Sequence, residues 1–154
     1  MKVSWYAKIR ALFLASASLS SPCLADDSPV VFGFSLKKNA SELVAQYNPV
    51  IVGNKAFIYK ESLQAPVTGV EYEYSGDRIQ QLHIILETSW ACINAIETLS
   101  KQLGDPSSSE RREDAWQAAH WKIGGTNVVA IGKCGDELIN YRIILSPRIS
   151  TGAT

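Results

Sequence analysis

Cys92 and His120 are the pairing in this 154-residue chain whose types and order suit covalent catalysis. A helix opening near Ser89 sets Cys92 in its first turn, where the positive end of the helix dipole favours a thiolate. His120, at the start of a strand, would accept the thiol proton, with Asn127 orienting its ring. A second use of the same sulfur competes. Cys92 also falls on an apolar stripe with Ile96, Leu99 and Leu103, a setting that suits a buried, inert sulfur. A Cys92–Cys134 disulfide is therefore the expectation, and a cysteine nucleophile the alternative.

Other chemistry has less to stand on. His83 and His120 are the only histidines. There is no His-x-x-x-His, no Cys-x-x-Cys and no dense carboxylate run, so a zinc site would need both histidines to converge with Glu71 or Glu73. No metal and no cofactor are expected. The chain has no Gly-x-Ser-x-Gly elbow for a serine nucleophile and no glycine-rich phosphate loop. Gly124-Gly125 reads as a turn.

The compartment in which those sulfurs sit follows from the first twenty-five residues. Lys2, Lys8 and Arg10 form a basic start, Ala11 to Leu19 an apolar core, and Ala25 the small residue before a cleavage point. The apolar core is about nine residues against the ~20 of a membrane helix. Residues 1–25 thus read as a signal peptide, and residues 26–154 as a single periplasmic or secreted domain. Lipidation at Cys23 is a minor alternative, poorly matched by the preceding Ser20-Ser21-Pro22. Two cysteines left in an oxidising compartment most often pair.

Charge narrows the partners. The whole chain carries 15 basic and 15 acidic residues. Three cations leave with the signal and no acids do, so the exported part is acidic, 12 − 15 = −3. That balance argues against nucleic acid and against an anionic membrane surface. No later segment reaches transmembrane length, so the chain is not expected to be an integral membrane protein. Its oligomeric state is open.

The elements that must position these residues form two similar runs. Val30 to Phe34 reads as an opening strand, and Asn39 or Ser41 caps a helix through about Tyr47. Val50–Val52 and Lys55–Tyr59 flank Gly53-Asn54 as a hairpin, and after an Ala65–Gly69 loop Val70–Tyr74 and Arg78–Glu87 flank Ser75-Gly76-Asp77 as a second. Ser89 then caps a stronger helix, stopped by Gly104 with Pro106 beyond. A polar loop, Ser107 to Asp114, precedes strands at Trp116–Ile123, Val128–Ile131 and Leu138–Ser146.

Offset by 59 residues, 74–86 (YSGDRIQQLHIIL) lies over 133–145 (KCGDELINYRIIL), matching Gly76 with Gly135 and Ile84-Ile85-Leu86 with Ile143-Ile144-Leu145. The fold class is α+β: two helices packed on one face of a mainly antiparallel sheet, in the order β-α-β-β-β-α-β-β-β. It reads as a tandem duplication, with repeats at about 35–87 and 88–146.

Helices on one face leave the other open, and strand alternation names its residues. They are Glu71, Glu73, Gln81, His83, His120, Lys122, Asn140 and Arg142, a charged and amide-rich surface with aromatic edges. Such a face suits recognition of a protein partner in the cell envelope. The tandem helix-plus-sheet layout resembles that of secreted β-lactamase-inhibitor-type proteins, which implies occlusion of a partner. A non-enzymatic exported binding protein, inhibitor or immunity-like, is the leading expectation.

The enzyme alternative is a cell-wall-directed cysteine hydrolase. Cysteine on a helix and histidine on a later strand is similar to the order in papain-like cell-wall peptidases, although the chain reads Ser89-Trp90-Ala91-Cys92-Ile93-Asn94 around the sulfur. An envelope assembly accessory is the third class.

Overall fold

The computed structural model describes residues 28–136 and 138–149. The expected leader, its cleavage point at Ala25 and Cys23 lie outside the described residues.

Alternation of apolar and polar residues builds the sheet. Helix α1 (Ala40–Tyr47) is followed by strands β1 (Val50–Val52), β2 (Lys55–Tyr59), β3 (Val67–Ser75) and β4 (Arg78–Leu86). Helix α2 (Thr88–Leu103) is followed by β5 (Ser108–Arg111), β6 (Trp116–Ile123), β7 (Thr126–Lys133) and β8 (Tyr141–Pro147). All eight strands join one antiparallel sheet in the order β1-β2-β3-β4-β8-β7-β6-β5. The α+β class with one antiparallel sheet is thus as expected.

That strand order reads as the first four strands, then the last four reversed. At the seam β4 meets β8 with Leu82 opposite Leu145, Ile84 opposite Ile143 and Leu86 opposite Tyr141. Residues matched by the 59-residue offset are therefore exchanged across the seam. A local two-fold axis runs through the Ile84–Ile143 pair.

One face of the sheet carries the core. Ala56, Ile58, Val70, Tyr72, Leu82, Ile84, Leu86, Ala119, Trp121, Val128, Ala130, Tyr141, Ile143 and Leu145 are buried there. Against them pack Ala40 and Leu43 of α1, Ala91, Ala95 and Leu99 of α2, and Val31 and Phe34 from the preceding segment. Each large apolar side chain so buried contributes roughly 1.5–3 kcal/mol. Trp121 donates from Nε1 to the Gly104 carbonyl at 2.9 Å, which ties the end of α2 to β6.

The helix starts are held by carboxylates outside the helices. Asp77, in the β3–β4 turn, accepts from Ser41 N at 2.7 Å and Ser41 Oγ at 3.0 Å, while its carbonyl accepts from Ala40 N at 2.9 Å. α2 is capped by Glu87, which accepts from Ser89 N and Trp90 N. The expected cap at Ser89 is two residues too late, because the longer Glu87 carboxylate reaches two amides at once. Helix α2 thus begins at Thr88, and Cys92 lies past its first turn.

Four further details depart from expectation. Val30–Phe34 is a tight turn and not a strand: Val31 and Phe34 exchange backbone hydrogen bonds of 2.8 and 2.9 Å. Phe32 and Gly33 adopt φ of 48° and 84°, which closes a turn and cannot continue a ladder. Its β-branched and aromatic composition serves the core, with Phe32 set edge-on to Trp90 at 6.0 Å.

The two hairpins read after α1 supply four strands, one more than the order β-α-β-β-β-α-β-β-β counts there. After α2 a fourth strand is added by Ser108–Arg111, read as part of a polar loop, which pairs with β6 as an exposed edge. β3 starts at Val67, inside the segment read as a loop. β8 starts at Tyr141, because Asp136 turns the chain through a bond from Leu138 N at 3.1 Å and leaves Leu138 exposed.

Candidate functional site

The face opposite the core is built from the alternate residues of the same strands. Two rows cross it in register. One runs Phe57, Glu71, His83, Ile144, Val129, His120. Its neighbour runs Tyr59, Gly69, Ile85, Arg142, Ile131, Ala118. Of these, Tyr59 and His120 are exposed and the rest are half-buried.

Glu71, His83 and Arg142 meet where β3, β4 and β8 run side by side. Arg142 Nη1 lies 3.4 Å from His83 Nδ1 and 3.8 Å from Glu71 Oε2, and Lys55 Nζ lies 3.5 Å from Glu71 Oε1. Glu73, one pair further along, accepts from Asn54 Nδ2 at 2.9 Å. A guanidinium has no acceptor, so the Arg142 contact requires His83 Nδ1 to be unprotonated. Burial holds His83 below the ordinary imidazole value of 6.5. Arg142 and Lys55 push the same way, and Glu71 and Glu73 oppose them.

Of the expected face residues, Glu71, Glu73, Gln81, His83 and Arg142 share this surface on three adjacent strands. His120 and Lys122 share it too, but on β6. Three inter-strand steps separate His83 from His120, about 14 Å at normal strand spacing, so the two imidazoles do not converge on one metal ion. Asn140 is not on the face. It precedes β8 and lines a cleft beside Glu87, Cys92 and Asp136 at the end of the sheet. The reason is the late start of β8.

The polar set named for the face omits its apolar members: Phe57, Ile85, Ala118, Val129, Ile131 and Ile144. The signal was present in runs such as Leu82-His83-Ile84-Ile85-Leu86, Val128-Val129-Ala130-Ile131 and Ile143-Ile144-Leu145. A strand wet on one side alternates, whereas a strand covered on both reads as a near-continuous apolar run. At one end of this band, Trp116, Ala118 and Ile131 line a small depression of about 110 Å³ together with Glu110 and Arg112.

The catalytic alternative finds its two residues apart. Cys92 is joined to Cys134 by a disulfide, with Cα atoms 5.6 Å apart, so its sulfur carries no proton for a base to remove. Cys92 belongs to the helix layer, and His120 points from the opposite face of the sheet. Among the described residues no group of three or more His, Cys, Asp or Glu is gathered in a way that could hold a metal ion. No described helix is long and apolar enough to cross a membrane.

No protein-family model matches the chain, and no curated protein matches it. Among solved structures the chain is similar to a DUF4309 family protein (YjgB) from Bacillus subtilis, at 12% identity and a TM-score of 0.49. That likeness covers 79% of this chain and 88% of the other.

Proposed function

We propose that this is an exported, non-enzymatic binding protein that engages a protein partner in the cell envelope through the open face of its sheet. Inhibition or immunity, in which the face occludes its partner, is the sharpest form of the reading. One observation carries it: the open side of the central strands β4, β8 and β7 also bears half-buried apolar side chains, although the helices pack on the other side. Ile85, Ile144, Val129 and Ile131 form a patch beside the Glu71–Arg142–His83 cluster, an apolar centre with charged flanks of the kind that interfaces use. The Cys92–Cys134 bridge supports an oxidising compartment, and with it release from a leader after Ala25. The exchange of offset-matched residues across the Ile84–Ile143 axis supports an origin by duplication of one helix-plus-four-strand unit.

A photo-crosslinking side chain installed at Ile144 tests the face, with Ile93, exposed on α2, as the control position. The expected result is a discrete envelope adduct from position 144 and none from position 93. Excess unlabelled parent protein competes the adduct away, and Arg142→Glu protein does not. Identical adducts from both positions, or equal competition by Arg142→Glu, overturn the reading. Terminal sequencing of the envelope-fraction protein checks the compartment: it starts at Asp26.

A further inference from the structure

A concavity among the described residues lies away from the open face. It opens at the end of the sheet where β4 and β7 begin and β8 finishes, beside the start of α1, and encloses about 620 Å³. Lys37, Lys38 and Arg78 line it together, and among the described residues no carboxylate lines it. Asp77, next to Arg78 in sequence, has its carboxylate committed to the amide and hydroxyl of Ser41. Lys38 Nζ reaches a neutral acceptor, Gln46 Oε1, at 3.5 Å. Ser28 Oγ and Thr126 Oγ1, both of lining residues, share a buried hydrogen bond of 3.0 Å.

The chain as a whole has a formal net charge of +0, so three cations around one concavity are not a by-product of a basic composition. Grouped cations repel one another, and a multiply charged anion between them would offset that repulsion. Arg78 offers a planar fork of donors suited to paired oxygens, and the two lysines offer compact charges that tolerate varied geometry.

We propose that this cleft binds a small oxyanion of two or more negative charges, presented by a phosphate-bearing or a carboxylate-bearing molecule. The site is independent of the open face and does not rest on the reading given above for it.

Calorimetric titration of the purified full chain at low ionic strength tests this, with inorganic pyrophosphate in one arm and citrate in the other. Saturable binding at a single site is expected from at least one probe, weakening as sodium chloride is added. Preference for pyrophosphate assigns the ligand to phosphates, and preference for citrate to carboxylates. Lys37→Ala/Arg78→Ala is expected to lose about tenfold or more in affinity, since each variant side chain removes a charged hydrogen-bond donor. Lys37→Ala alone, which changes one exposed side chain, is expected to lose part of that. Lys101→Ala, on α2 and paired with Glu97, is expected to bind as the parent does. Absence of binding by both probes, or parental affinity in the double variant with unchanged circular dichroism, overturns the proposal. So does an equal loss in Lys101→Ala.

Discussion

His83 and Arg142, 59 residues apart in sequence, contact one another through Nδ1 and Nη1 across the β4–β8 seam. The contact exists only while that imidazole nitrogen is unprotonated. Folding lowers the proton affinity of His83 relative to the ordinary value of 6.5. The unfolded chain therefore binds more protons than the folded one in the window just below that value, and stability falls as pH drops through it. In NMR titrations the His83 Cε1 proton is expected to show a midpoint below 6.5. Arg142→Gln should raise that midpoint, and Glu71→Gln should lower it. A midpoint unmoved by either change would separate the histidine from the cluster.

Gly132 leaves space for a ring. A Cβ built there would stand 2.3 Å from Tyr141 Cδ2, 2.7 Å from Cγ and 3.0 Å from the Tyr141 backbone Cα. Tyr141 is fully buried, and burial pushes its phenol up to about 12, so the ring has no solvent to retreat into. Gly132→Ala is expected to destabilise by roughly 1–3 kcal/mol through overpacking, read as a lower urea midpoint. Parental stability would show that β7 and β8 separate easily here.

The bridge between Cys92 and Cys134 closes a loop of 42 residues. By the chain-entropy relation such a loop contributes roughly 3–4 kcal/mol. Cys92→Ser/Cys134→Ser should lose about that much in equilibrium unfolding, a large part of the ~5–15 kcal/mol typical of a domain. Iodoacetamide applied before reduction should label neither cysteine. Labelling of both in the native protein would return Cys92 to candidacy as a nucleophile.

Asp77 couples a turn to a helix. Asp77→Ala removes two hydrogen bonds to Ser41 at the start of α1 and is expected to cost about 1 kcal/mol. Hydrogen exchange should locate the loss in α1, with the amides of α2 unchanged. An effect spread evenly over both helices would contradict a local capping role.

Short-range chemistry was legible in the chain. The turns at Gly53-Asn54, Gly76-Asp77 and Gly124-Gly125 separate the strands they were expected to separate, because turn geometry is decided by a few adjacent residues. Pairing of the only two cysteines beyond residue 25 was legible for the same kind of reason: there was one combination. Val30–Phe34 was misread because β-branched and aromatic residues mark burial as much as strand, and Phe32-Gly33 folds them into a turn instead. Ser108–Arg111 was missed because an edge strand needs no apolar side chain, only a neighbour with free backbone groups.

By itself the sequence determined the two-fold recurrence of a helix and its strands, the alternation that divides each strand into two faces, and the disulfide partners. These are set by periodicity and composition within one segment at a time. Tertiary structure decided that β4 lies against β8, and hence that Glu71, His83 and Arg142 form one cluster while His83 and His120 stay apart. It also decided that Lys37, Lys38 and Arg78 share a cleft. Strand order is a choice among long-range pairings whose local patterns are nearly alike, and only the packing of the whole sheet against its helices distinguishes them.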